Sequence, residues 1–199
     1  ANDFINLVYG RTVKRVTSSK FILVSLLKFM IEVETFLESS SVPYSGKKFS
    51  ILDNHFTIDI DFYRRASSYD EYEKYVTNEM LDFLLNSHLE QDSFIVEGLP
   101  LFTQFTVGII LYLSLFVFEE VHLKRSSCCI KFKSLLPNGK KHLKGLIDSL
   151  KSASRVVLGI CNTKTLFIYS PDLYKSVIDY NNHICLKFCS VYLNLSNIL

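Results

Sequence analysis

Between Leu99 and Phe118 the chain runs for twenty residues without a charged side chain. A run of that length fits three settings. About 20 apolar residues span a bilayer as a helix; the same residues can form a helix inside a domain, or a strand at the centre of a sheet. Pattern separates the three. Odd positions from 105 to 117 read Phe, Val, Ile, Leu, Leu, Leu, Val, while the even positions from 104 to 118 read Gln, Thr, Gly, Ile, Tyr, Ser, Phe, Phe and so hold every polar or small residue. A period of two belongs to a strand, whose side chains alternate between faces, whereas a helix repeats every 3.6 residues. β-branched and aromatic residues dominate and Ala is absent, which agrees. The pattern predicts a central strand, or two strands meeting at a bend near Gly108 or Ser114, over a buried helix or a membrane span. Tyr112, Phe116 and Phe118 then share the second face and form a candidate apolar interface with another chain.

The rest of the chain is also apolar. Hydrophobic residues make up 48%, aromatics 14%, and mean hydropathy is +0.19. With only 7 Gly and 4 Pro, long flexible connections are disfavoured. Apolar surface in this excess implies either a membrane segment or a large contact with a partner. The length suits one domain, 1–199, with 1–97 and 98–199 as candidate sub-units.

Local signals divide the chain as follows. Ile5–Val16 reads as a strand, and residues 17–40 as a helix apolar on most of its circumference. Lys47–Tyr63 reads as a hairpin turning at Asp53-Asn54. Ser68 and Glu71 form a capping box, after which Tyr72, Val76, Met80, Phe83 and Leu84 keep helical spacing. Cys128–Leu136 reads as a strand. An amphipathic helix follows Pro137, with Leu143, Leu146, Ile147 and Leu150 on one side and lysines on the other. Residues 155–170 read as a second hairpin turning at Asn162-Thr163. Ser170 and Pro171 open a short helix, and His183–Leu195 closes the chain as a strand. The fold class is α+β: a mainly antiparallel sheet packed by three longer helices, with helix-then-hairpin units at 17–63 and 138–170.

Charge is unevenly placed. Residues 53–97 hold eleven Asp/Glu against three Lys/Arg, and residues 122–155 hold nine Lys/Arg against Asp148 alone, within a net charge of +2. Blocks of opposite sign compensate one another in a fold or present two poles to partners. The basic block supplies candidate contacts for nucleic acid or an acidic partner: Lys124, Arg125, Lys131, Lys133, Lys140, Lys141, Lys144 and Lys151. Only Phe132 interleaves with them as an aromatic, so base stacking has little support.

Catalytic signals are thin. Asp59 and Asp61 lie on one face of a strand and could hold Mg²⁺ for phosphoryl or nucleotidyl transfer. The pair resembles the Asp-x-Asp of nucleotidyltransferases. That family places a Gly-Ser turn before a helix upstream, however, and here Ser45-Gly46 stands in the reverse order and leads into a strand. The pair therefore reads as the wet side of a strand. Cysteines 128, 129, 161, 185 and 189 are odd in number and irregular in spacing, which suits free thiols in a reducing compartment. On a strand Cys185 and Cys189 lie about 13 Å apart, too far to share one metal. None of the five His sits in HExxH, and GxSxG and Walker loops are missing.

These readings converge on a non-enzymatic protein-interaction or scaffold subunit of an intracellular complex, in nucleus or cytoplasm. It needs no cofactor or metal, and its partner is another protein chain or a second copy. The alternative is a nucleic-acid-associated module using residues 122–155; a Mg²⁺-dependent transferase and a membrane-inserted protein come after it.

Overall fold

The structure is a computed structural model that describes residues 4–10, 21–26, 28–29, 32, 49–59, 69–87, 92–169 and 171–196. In chain order the described elements are β1 (Val8–Tyr9), β2 (Phe49–Leu52), β3 (His55–Ile58), α1 (Tyr69–Asn86), β4 (Ser93–Glu97), α2 (Gln104–Tyr112), a π-helical turn (Leu113–Val117), β5 (Phe118–Lys124), a 3-10 turn (Arg125–Ser127), β6 (Cys129–Leu135), α3 (Gly139–Lys151), β7 (Val157–Gly159), α4 (Thr163–Tyr169) and α5 (Pro171–Ser196). The fold is α+β, as the sequence predicts. Strands β1 and β7 form a small antiparallel pair, and the main sheet has five strands in the order β2-β3-β4-β6-β5. It is antiparallel except at β3–β4. It draws β2 to β4 from residues 1–97 and β5 and β6 from residues 98–199.

The β2–β3 hairpin forms as its sequence dictates. Leu52 pairs with His55 across the Asp53-Asn54 turn, and Asp53 adopts a positive φ of 52°, a conformation that Asp and Asn tolerate in tight hairpins. Because β4 runs parallel to β3, the chain needs a crossover between them; α1 lies in that connection. Strand β4 itself, "SFIVE", goes unassigned by sequence reasoning, since five residues offer a short pattern.

The core lies on one face of this sheet. Phe56, Ile58, Phe94, Val96, Ile130 and Phe132 all point there and are buried. Helix α1 covers them: Phe83 packs at 5.5 Å from Phe56 and 6.2 Å from Phe94, ring centre to ring centre. Phe118 joins the cluster, 5.1 Å from Phe132 and 6.0 Å from Phe94. Aromatic pairs at these distances add about 0.5–1.5 kcal/mol each beyond their area burial. Helix α3 packs beside α1 in the same layer, burying Leu143, Leu146 and Ile147.

The uncharged run departs from its predicted strand. Gln104 to Tyr112 form α2, Leu113 to Val117 continue as the π-helical turn, and extended backbone begins only at Phe118. From Phe105 to Tyr112 every residue of α2 is buried. A helix enclosed on all sides has no wet face to impose a 3.6 period, so the odd–even split carried no information about its conformation. The overlooked signal was Thr103, whose side chain caps α2 by accepting from the Thr106 N–H at 3.5 Å. Gly108 serves close packing and not a strand bend: a Cβ there would meet Ile160 Cγ1 at 3.1 Å. No helix among the described residues is long and apolar enough to cross a membrane.

Two further expectations are corrected. The second hairpin, 155–170, is the short strand β7 followed by α4; only the first helix-then-hairpin unit contains a hairpin. Asn162 acts as a helix cap, its Oδ1 accepting from Thr165 N at 2.8 Å and Thr165 Oγ1 at 2.9 Å. The closing strand His183–Leu195 belongs to α5, which runs unbroken from Pro171. Its buried residues Val177, Tyr180, Asn181, Ile184, Cys185, Phe188 and Cys189 keep strict helical spacing. Within α5, Asn181 ties distant segments together: it donates to the carbonyls of Phe21 and Leu101 and accepts from Leu101 N. Of the predicted helix at 17–40, residues 24–26, 28, 29 and 32 are described and helical. Residues 11–16 of the first predicted strand and the cap residue Ser68 lie outside the described residues.

Candidate partner interface

The basic block folds into two separate surfaces. Lys131 and Lys133 alternate with buried Phe132 along β6, so they point to the sheet face opposite the helices. There Lys131 stands across from His122, and Lys133 from Glu120. Lys140, Lys141, Lys144 and Lys151 occupy the exposed side of α3, in the helical layer on the other side of the sheet. Lys124 and Arg125 sit at the end of β5, where Arg125 Nη1 lies 3.9 Å from Asp179 Oδ2 of α5. Sequence order thus joins cations that the fold divides.

Within α3 the local sequence explains the arrangement. Leu143, Leu146 and Ile147 bind it to the core, and Gly139 at its start lies against the Val117 carbonyl with no room for a Cβ. His142 Nδ1 donates to the Phe116 carbonyl at 3.0 Å, and Tyr112 Oη donates to the His142 carbonyl at 3.0 Å. These contacts fix the helix, and Lys140, Lys141 and Lys144 project from it within little more than one turn. Lys151, at the far end, is 3.9 Å from Asp82 Oδ1. Among the described residues, none of Lys140, Lys141 and Lys144 forms an ion pair.

Tyr112, Phe116 and Phe118 do not form an open apolar surface. The chain covers them itself. Tyr112 lies 5.9 Å from Phe4 and 5.0 Å from Phe116 between ring centres, and Phe118 is enclosed by Phe94 and Phe132. Burial raises the Tyr112 phenol above its ordinary range. The expected interface therefore becomes core, because the run that carries it is a helix inside the domain and not a strand with a second face.

On the sheet face opposite α1 and α3 the charges pair locally. His55 Nε2 lies 3.1 Å from Glu97 Oε2, and Lys187 of α5 reaches Glu97 Oε1 at 3.4 Å. Glu120 is held below the usual glutamate range, first by its 2.8 Å hydrogen bond with His122 and then by Lys133. Asp59 follows β3, while Asp61 lies outside the described residues, as does Ser45-Gly46. The five cysteines are free and buried. Burial pushes the Cys161 thiol up to about 11 and raises Cys128, Cys185 and Cys189 as well, which disfavours the reactive thiolate. Cys185 and Cys189 lie one helical turn apart, closer than the strand reading implied. Among the described residues no three His, Cys, Asp or Glu side chains gather to hold a metal ion.

No protein-family model, no curated protein and no solved structure matches this chain.

Proposed function

We propose that the chain is a non-catalytic binding subunit of an intracellular complex, and that it docks an acidic segment of a partner protein on the outward face of α3. One observation carries this reading: Lys140, Lys141 and Lys144 stand together, exposed and without an ion pair among the described residues, on a helix whose other side is locked into the core. Cations on a pre-fixed helix attract an opposite charge at long range and cost little ordering on contact. The free buried thiols fit a reducing compartment.

Two observations favour protein over nucleic acid as the partner. The basic residues are split between opposite sides of the sheet and give no continuous track for a phosphate backbone. Phe56, Phe94, Phe118 and Phe132 all lie in the helix-covered core, so among the described residues the charged sheet face presents no Phe or Tyr ring for a base to stack on.

The test uses the tagged full chain and its K140E/K141E/K144E variant in nuclease-treated extract of the cells that make it. The expected result is a protein captured stoichiometrically by the wild type and lost from the variant, with both chains unfolding at the same urea concentration. A partner that survives the charge reversal, or one that disappears with nuclease treatment, overturns the reading.

A further inference from the structure

A cleft of about 320 Å³ opens where α1, the start of α2 and the connection from α3 to β7 meet. It falls near the lower end of the about 300–1,000 Å³ typical of small-molecule sites. Its floor is apolar, made by Phe105, Leu150 and Val157, and its rim carries Lys74, Lys151 and Arg155. Among the described residues no carboxylate lines it. We propose that this cleft binds a small organic anion, a carboxylate or phosphate ester attached to a flat apolar body.

The cations are held in place by the floor and its surroundings. The Lys74 ammonium donates to the Val157 carbonyl and lies 4.2 Å from the centre of the Phe105 ring. It therefore stays at the cleft and does not extend into solvent. The Arg155 guanidinium stacks over Tyr9, 4.6 Å from the ring centre. Stacking uses the face of a guanidinium and leaves its N–H edges, which match an oxyanion in a two-pronged contact. Lys151 is 70% exposed and shares its charge with Asp82 at 3.9 Å; such a surface pair is weak and yields to a better anion. Three cations over an apolar floor demand both halves of the ligand. An anion without an apolar body leaves Phe105, Leu150 and Val157 uncovered, and an apolar body without charge makes no use of the Arg155 N–H edges. The site lies apart from Lys140, Lys141 and Lys144, so it stands or falls independently of the partner interface.

Calorimetric titration of the full chain with 2-naphthoate, 2-naphthyl phosphate, 2-naphthamide and inorganic phosphate tests the proposal. At least one naphthyl anion should bind saturably, one to one. The amide and inorganic phosphate should bind at least about tenfold more weakly. Arg155→Met, at an exposed position and so compatible with folding, should weaken the naphthyl anion by about tenfold or more. Lys74→Met should do the same, and K140E/K141E/K144E should bind as the wild type. No saturable binding of either naphthyl anion at millimolar concentration, equal binding of the amide, or unchanged binding by Arg155→Met would overturn the assignment.

Discussion

The two faces of the five-stranded sheet are built from the same strands and have opposite chemistry. Toward α1, Phe56, Phe94, Val96, Ile130 and Phe132 form a surface with almost no contact with water. One residue further along each strand, His55, Ser93, Glu97, Lys131 and Lys133 join Ile95 in a partly exposed and mostly polar face. The backbone hydrogen bonds serve both equally. The difference comes from what lies over each face: helices supply rings on one side, and on the other the charged groups answer one another across neighbouring strands. Stability is therefore concentrated on one face, and the other can change its residues at little cost.

Paired substitutions on β6 offer the strongest way to break this comparison. Phe132→Ala removes a ring packed on Phe118 and opens a cavity in the aromatic cluster, so it should cost about 3–5 kcal/mol. Lys133→Ala, the next residue, should change stability by no more than about 0.5 kcal/mol. Urea denaturation of both variants measures the ratio. Comparable losses would show that the charged face is as firmly held as the core.

The same contrast explains which parts of the fold were legible in the sequence. Strand β3, α1, α3 and β6 each have a dry side and a wetter one, and their residues keep the matching period. Helix α2 is enclosed all round, so its odd–even split was noise that resembled a strand. In α5 the helical spacing of Val177, Tyr180, Ile184, Cys185, Phe188 and Cys189 was present, but alternation within His183–Cys189 masked it over a short window. Asn162 misled because the same side chain suits a hairpin turn and a helix cap. The lysines of α3 could be read directly from its amphipathic pattern. Their separation from Lys131 and Lys133 depended on knowing which side of the sheet the helices cover. The anion cleft was invisible, because Lys74, Phe105 and Arg155 come together only through packing of separate elements.

A smaller effect sharpens the comparison on the charged face itself. Lys187 reaches over from α5 to Glu97, which also contacts His55. The pair is partly exposed, with side chains at 39% and 28% of their free accessibility, so Lys187→Met should cost only about 0.2–1 kcal/mol. Raising the salt concentration should shrink the difference from wild type, since exposed pairs are screened. A loss that is larger, and insensitive to salt, would mean that α5 is anchored to the sheet chiefly through this charge.

Glu120, an exposed side chain on the charged face, provides the most delicate test. Its carboxyl is lowered chiefly by the hydrogen bond with His122, next by Lys133 across the strand pair, and least by Lys131. A carboxylate lowered in the folded state favours folding at pH above its unfolded value. That contribution fades as pH falls through the lowered folded value, so Glu120 should add to acid sensitivity on the charged face only. An NMR titration that follows the Glu120 side-chain carboxyl should place it below the ordinary glutamate range in the wild type. It should rise most in His122→Ala, less in Lys133→Met and least in Lys131→Met, while the nearby core resonances stay unchanged. If His122→Ala leaves the carboxyl where it was, the charges of this face do not answer one another as the structure draws them, and the contrast between the two faces reduces to burial alone.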